Sequence, residues 1–330
     1  MSVMVRVDHL RKEYRGLVAV RDLCLEVEAG DILGLIGPNG AGKTTTIKVL
    51  ATLLAPTSGT VWIDGIDVVA YPEEVRAIIG YMPDFFGVYD DIKVWEYLDF
   101  FAAAYRIPRD RRARIIDDVL ALTDLSAKRD AYVETLSRGM KQRLCLAKTL
   151  VHDPKVLLLD EPASGLDPRA RIEIRELLKE LRAMGKTIIV SSHILPEMEE
   201  FCNKIAIMER GELVIAGEVE AIARRLRGQS TFEIGVVDAL AQAEAVLRGL
   251  TDLVGAVDVV EDDGGDGGSD APALEGSRGG VLHVAYTGEA GEEYRVLHAL
   301  VLAGVKVRLF RPLPASLEEV FLQVTRGQVA

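Results

Sequence analysis

Lys43 and Thr44 end the octapeptide Gly37-Pro38-Asn39-Gly40-Ala41-Gly42-Lys43-Thr44, which fits G-x-x-x-x-G-K-[ST] at every required position. Glycines at this spacing let successive backbone N–H groups turn toward a phosphate. Lys43 then reaches the outer phosphates of a nucleotide, and Thr44 offers a hydroxyl to Mg²⁺. Thr45 continues the loop into the next element. A second cluster, Asp160-Glu161, closes the apolar run Val156–Leu159. Adjacent residues point in different directions, so the two acids divide the work. Asp160 suits Mg²⁺ through its water shell, and Glu161 suits a general base that orients and polarises the attacking water. A third cluster is the heptapeptide Leu136-Ser137-Arg138-Gly139-Met140-Lys141-Gln142. A serine hydroxyl and backbone N–H groups just before a helix can hold an anion at the positive end of the helix dipole. Taken singly, each cluster also has a plain structural explanation: a Gly-rich turn, an acidic turn capping a strand, a capped helix. Together they describe hydrolysis of a nucleotide's terminal phosphate. Two phosphate grips then either hold one nucleotide together or each meet a counterpart on a second subunit.

The elements that must position these residues can be read from periodicity. Apolar, β-branched runs at 31–36, 155–159, 187–191 and 205–208 alternate with helical patterns at 44–54, 140–152 and 169–183. Continuous apolar strands separated by helices predict a mainly parallel sheet covered on both faces. Segments 4–10, 23–28 and 61–64 alternate and predict an antiparallel β layer beside that core. Segment 90–130 shows no strand signal and reads as helical throughout, within a helical subdomain of about 85–150. After a domain of 1–226, the pattern restarts over 227–330 as strand 231–236, helix 239–250, strand 256–260, strand 281–286, helix 291–303 and strand 305–310. That β-α-β-β-α-β order predicts a small ferredoxin-like α+β domain. Its Gly- and acid-rich stretch 261–280 reads as a flexible loop.

Bulk composition narrows the partners. The 330 residues suit about two domains, and 49% hydrophobic with 27% charged residues is an ordinary globular balance. A net charge of −12 argues against a nucleic-acid surface spread over the molecule. Cys24, Cys145 and Cys202 lack CxxC spacing and sit in apolar-periodic segments, so reduced, buried thiols are expected. No apolar run reaches the roughly 18–20 residues of a membrane span, and the N-terminus lacks the layout of a signal peptide. Membrane association is therefore expected only through a partner.

With these motifs in this order, the chain resembles the ATP-binding subunit of an ABC transporter over roughly residues 3–225. Leu136-Ser137-Arg138-Gly139-Met140 corresponds to the family signature LSGGQ. The resemblance implies an α/β P-loop NTPase core carrying an antiparallel β layer and a helical subdomain. It further implies ATP and Mg²⁺ as ligands. Tyr14 matches the aromatic that stacks on adenine, and Ser164-Gly165-Leu166-Asp167 matches the D-loop that crosses the dimer interface. His193 matches the switch histidine that touches the γ-phosphate. The family's head-to-tail dimer would set Ser137 and Gly139 of one subunit on the ATP held by Lys43 and Thr44 of another, either a second copy or a homologous ATPase. Hydrolysis would then release the closed dimer.

Two positions depart from the family. Arg138 replaces the first signature glycine and is expected to point outward from the helix start. Gly80-Tyr81-Met82-Pro83-Asp84 lies where the Q-loop usually ends in glutamine. Asp84 can still take a Mg²⁺-bound water, and it adds negative charge near the γ-phosphate. Beyond it, Phe85, Phe86 and Tyr89 are candidates for a groove that meets the membrane partner. The ending Leu313–Leu322 is similar to the tails of exporter subunits whose integral-membrane permease is a separate polypeptide. The resemblance thus implies a peripheral ATPase on the cytoplasmic face of the cell membrane. The alternative is a soluble ABC protein acting on ribosomes or nucleic acid. Ribosome-acting members carry two cassettes and DNA-repair members a long coiled coil, and this chain shows one cassette and no sustained heptads.

Overall fold

In a computed structural model, described over residues 2–84, 87, 91–226, 230–260, 279–288 and 291–313, the chain forms two compact units, one running through Val219 and the other from Glu220. Phe85, Phe86, Tyr89, most of the 261–280 stretch and the 314–322 tail lie outside the described residues.

The first unit opens with strands β1 (Val3–Tyr14), β2 (Leu17–Glu28) and β3 (Ile32–Ile36), then helix α1 (Lys43–Leu50). There follow β4 (Ser58–Ile63), β5 (Ile66–Asp67), α2 (Pro72–Ile78) and β6 (Ile79–Met82). Helices α3 (Val94–Ala104), α4 (Arg109–Leu122) and α5 (Arg138–Leu150) come next. The unit closes with β7 (Val156–Leu159), α6 (Pro168–Ala183), β8 (Thr187–Ser192), α7 (Leu195–Glu199), β9 (Lys204–Glu209) and β10 (Glu212–Glu218).

Its ten strands lie in the order β5-β4-β1-β2-β10-β9-β3-β8-β7-β6. β9, β3, β8, β7 and β6 are parallel neighbours. Every residue of β3, β7 and β8 is buried, as a sheet covered on both faces requires. The predicted antiparallel part, β5-β4-β1-β2, joins this core through one parallel register pair, Glu212 with Asp22. The phosphate loop leaves β3, and both β8 and β7 lie on the same side of β3. Their carboxyl ends therefore converge at one edge, where ligands of open α/β sheets bind.

Some expectations change. The 90–130 segment is not helical throughout: α3 and α4 are separate, and Lys93 forms a β-bridge with Tyr132. Pro108 disfavours helix at Ile107 and then caps α4. Helix α1 stops at Leu50 rather than 54, with Thr52 left-handed at φ 60°. Cys24 is exposed, not buried, because strand alternation turns Leu23 and Leu25 inward and Cys24 outward; Cys145 and Cys202 are buried free thiols. Strands β5, β6 and β10 and helix α2 have no counterpart in the sequence reading. They are short or, in β10, never fully buried, so their periodic signal is weak.

The second unit contains α8 (Val219–Leu226), β11 (Ser230–Val236), α9 (Leu240–Gly249), β12 (Val254–Val260), β13 (Gly280–Tyr286), α10 (Tyr294–Leu302) and β14 (Val307–Leu313). The four strands are antiparallel in the order β12-β13-β11-β14, which with the two crossing helices is the ferredoxin-like arrangement. Phe232, Ile234, Leu282 and Val284 pack against Ala243, Leu247, Val296 and Leu300 in a core of its own.

One polar node fixes where β3 begins. Asp31 is buried, and its carboxylate accepts from Asn203 Nδ2 at 2.7 Å and from the Glu28 N–H at 3.0 Å. Lys204 Nζ lies 2.8 Å from Asp31 Oδ2, and Asn203 Oδ1 accepts from the Ile32 N–H at 2.7 Å. Burial pushes the Asp31 carboxyl up, but Lys204, Asn203 and the Glu28 N–H together outweigh it and hold it below its ordinary 3.8. A carboxyl lowered in the folded state stabilises fully above the unfolded value, and that stability is lost as pH falls through the folded one. Asp31→Asn should therefore cost about 2 kcal/mol at neutral pH, the scale of hydrogen bonds to a charged group. The deficit should shrink below about pH 3.8. Urea unfolding of the first unit at pH 7 and at pH 3 measures both.

Candidate functional site

The glycines of the phosphate loop answer to crowding. Gly42 caps α1 at φ 103°, and a Cβ there would sit 2.6 Å from the Ala19 carbonyl oxygen. Only glycine fits both the backbone angle and the close approach. The loop thereby delivers Lys43 and the N–H groups of the first turn of α1 to the sheet edge. Lys43 is buried, and its Nζ donates to Gly37 O at 2.6 Å and Pro38 O at 3.2 Å, with Glu161 Oε1 3.7 Å away. Burial lowers the pKa of its ammonium; the charges of Glu161 and Asp160 oppose that shift.

Asp160 follows β7 and is 1% exposed. Its Oδ1 accepts from Ser191 Oγ at 2.6 Å and from Thr44 Oγ1 at 3.1 Å. The strand register makes this inevitable: Leu159 pairs with Val190, so the next residues, Asp160 and Ser191, meet across the β7–β8 boundary. Ser191 Oγ also accepts from the Glu161 N–H at 3.0 Å. Glu161 is left-handed at φ 50°, a conformation worth about 1–3 kcal/mol of strain in a non-glycine residue. The turn aims its carboxylate back over the loop, where Oε2 is 2.9 Å from His193 Nδ1. Tyr81, on β6, has its hydroxyl pushed up to about 12 by burial and by the charges of Asp160 and Asp84, which places Asp84 within electrostatic reach of the same site.

A cleft of about 430 Å³ gathers Tyr14, residues Pro38 to Thr45, Asp84, Glu161 and His193. Tyr14, at the end of β1, stands at its rim with Lys12 Nζ 5.2 Å from the ring centre. Thr44, Asp160 and Asp84 present hard oxygen donors only, a set that fits Mg²⁺.

Ser137, Gly139 and Asp167 are not in this cleft. They line a separate cavity of about 240 Å³ together with Arg138 and Gly165. Ser137 Oγ caps α5 by accepting from the Met140 N–H at 3.3 Å, and Asp167 caps α6 by accepting from the Ala170 N–H at 2.9 Å. Arg138 is exposed at the start of α5, and its side chain lies along the surface. Its Nη2 donates to Ser164 O at 3.4 Å, and its guanidinium lies against Gly165, where a Cβ would come 2.2 Å from Nη2.

The sequence reading missed two contributors. Ser191 carried a faint signal, a polar residue ending the apolar run 188–190. Gln142, the last residue of the heptapeptide, is buried and donates through Nε2 to Pro162 O, tying α5 to the turn after Glu161.

Known proteins resemble this chain in both sequence and fold. The family model described as "ABC transporter" matches residues 20–164. Nod factor export ATP-binding protein I of Cupriavidus metallidurans is 37% identical over 218 residues, 66% of this chain and 72% of that protein. The probable multidrug ABC transporter ATP-binding protein YbhF of Escherichia coli is 38% identical over 231 residues, 69% of this chain and 40% of that protein. A solved ATP-binding subunit of an ABC transporter superposes with a TM-score of 0.61 at 30% identity, covering 68% of this chain and 93% of that one. A dimeric ATP-binding cassette in a post-hydrolysis state with ADP and phosphate gives 0.60 at 25% identity, covering 66% and 99%.

Ser191→Ala removes a donor from a buried carboxylate and an acceptor from the Glu161 N–H. A loss of about 1–3 kcal/mol at the reacting end of the cleft corresponds to a fall in kcat of roughly five- to 150-fold. Steady-state phosphate release should show this drop with little change in KM. A raised KM with kcat intact would place Ser191 in nucleotide binding instead.

Proposed function

This chain belongs to the family of ABC transporter ATP-binding proteins, ATP-hydrolysing subunits of transporters, and from that premise we propose that it powers an exporter by ATP-driven closure of a head-to-tail dimer coupled to a separate membrane permease. The observation that carries the reading is the separation of the two phosphate grips. Within one chain, Ser137 and Gly139 line a cavity that does not include Lys43 or Thr44. A grip that cannot reach its own nucleotide is used by reaching another subunit's. The second subunit is a further copy of this chain or a homologous ATPase. The export function in the name of the Nod factor relative supports the direction of transport. Among the described residues no helix is long and apolar enough to cross a membrane; in this reading the permease supplies the contact with the membrane.

The residues divide the chemistry as follows. Tyr14 stacks on the base, and the loop N–H groups with Lys43 and Thr45 hold the phosphates. Lys43 exchanges the carbonyl oxygens of Gly37 and Pro38 for phosphate oxygens, so its charge is already desolvated and aimed. Thr44, Asp160 and Asp84 would hold Mg²⁺, which when bound offsets the phosphate charge. Glu161 takes the proton of the attacking water, and His193 holds the Glu161 carboxylate in line. From the partner, Ser137 and Gly139 add donors to the terminal phosphate, and Asp167 crosses the interface. Binding that engages both grips favours the closed state over the open one, and hydrolysis removes the preference.

Glu161→Gln keeps the size of the side chain and removes the base. Hydrolysis should fall by about 10²-fold or more while ATP binding persists, and the variant should elute as a dimer with ATP and as a monomer without it. A variant that stays monomeric in ATP overturns the two-subunit site. Asp84→Asn and Asp84→Gln should both retain ATPase activity; loss of nucleotide binding in both would give Asp84 another role. In cell fractions, sedimentation with ribosomes rather than membranes would overturn the exporter reading.

A further inference from the structure

The outward face of the β1–β2 hairpin carries a cluster that the nucleotide chemistry does not use. On β2, alternation turns Asp22 and Cys24 to the exposed side while Leu23 and Leu25 are buried. Strict alternation on β1 would send His9 inward after Val5 and Val7. The register prevents it: Val7 pairs with Leu25 and Leu10 with Leu23, so Asp8 and His9 together oppose the single residue Cys24. This is a β-bulge, and it re-aims His9 to the exposed side. The cost is a left-handed backbone at His9, φ 53°. The neighbouring strand is shaped to accept it, because a Cβ on Gly59 of β4 would lie 2.2 Å from the His9 carbonyl oxygen. A strained residue accommodated by its surroundings points to a use for the side chain it presents.

The bulge brings three different donors together. An imidazole nitrogen of His9, a carboxylate oxygen of Asp22 and the sulfur of Cys24 all lie within 4.8 Å of one another. His9 Nδ1 is 2.9 Å from Asp22 Oδ1, and the His9 N–H donates to Cys24 Sγ at 3.3 Å, which orients the sulfur. Tetrahedral zinc with bonds of 2.0–2.3 Å sets its ligands about 3.4–3.6 Å apart. Small side-chain rotations close this cluster onto an ion, which takes the place of the proton between His9 and Asp22.

We propose that His9, Asp22 and Cys24 form a binding site for a divalent transition cation of the zinc class, with water in the fourth position. The mixture of nitrogen, oxygen and sulfur selects such an ion over Mg²⁺ or Ca²⁺, which take oxygen alone. One carboxylate and one thiolate offset its charge. The site staples the bulge of β1 to β2.

Co²⁺ is the probe, titrated into the reduced full chain without nucleotide or Mg²⁺. One equivalent should produce a thiolate-to-cobalt charge-transfer band in the near ultraviolet, and Zn²⁺ should bleach it. Cys24→Ser should abolish the band. His9→Asn, which keeps a residue tolerant of left-handed backbone, and Asp22→Asn should each weaken binding at least about tenfold. All three side chains are exposed, so the variants should keep the native circular dichroism spectrum and melting temperature before metal is added. A chain that gives no thiolate band at one equivalent overturns the proposal. So does a band that survives Cys24→Ser, or wild-type affinity in both His9→Asn and Asp22→Asn.

Discussion

A carboxylate taken out of water must find donors, and at Asp160 that requirement organises the molecule. The residue is 1% exposed at the end of β7. Its donors are Ser191 from β8 and Thr44 from the first turn of α1. Satisfying one charge therefore fixes three elements that are remote in sequence: the acid-bearing strand, its neighbour, and the helix that closes the phosphate loop. The cost of an unpaired buried carboxylate is what makes this arrangement specific. Glu161 depends on it in turn, because its N–H binds the same Ser191 hydroxyl and its left-handed turn is held from that point.

The same logic governs Lys43. An ammonium desolvated among carbonyl oxygens and facing Glu161 is prepared for an anion before one arrives. A charge held desolvated and aimed in advance is how a fixed electrostatic site lowers a barrier. Asp84 sharpens the balance. It brings a carboxylate to a cleft already lined by Glu161, with Asp160 buried behind Thr44, so a cation that Thr44 and Asp160 suit would have one more charge to offset.

The segments at Ser137 and Asp167 follow a different constraint. Ser137 and Asp167 each cap a helix, and both helix starts open on one cavity away from the cleft. Arg138 bridges these two starts through Ser164 and Gly165. The signature segment and the segment 164–167 are thus one surface.

Local chemistry made much of this legible in the residues. The octapeptide spacing, the acid pair after an apolar strand and the Ser-x-Gly before a helix each express a backbone requirement confined to a few consecutive residues. Strand–helix alternation likewise carried the parallel core, where burial on both faces leaves continuous apolar runs, and the ferredoxin-like unit, where one buried face leaves an alternating pattern. Short or half-exposed elements such as β6 and β10 left no such trace. Register is another matter, since it is set by which strand lies beside which. Ser191 became a partner of Asp160 only once β7 and β8 were adjacent. Cys24 turned outward and met His9 only through the pairing of β1 with β2, and Arg138 lies against residue 165 only because a glycine there leaves room. The sequence by itself determined which residues can grip phosphate, bind a hard cation and activate water. Tertiary structure decided which of them share a cleft, because distance between side chains depends on strand order and register, and neither is encoded in local spacing.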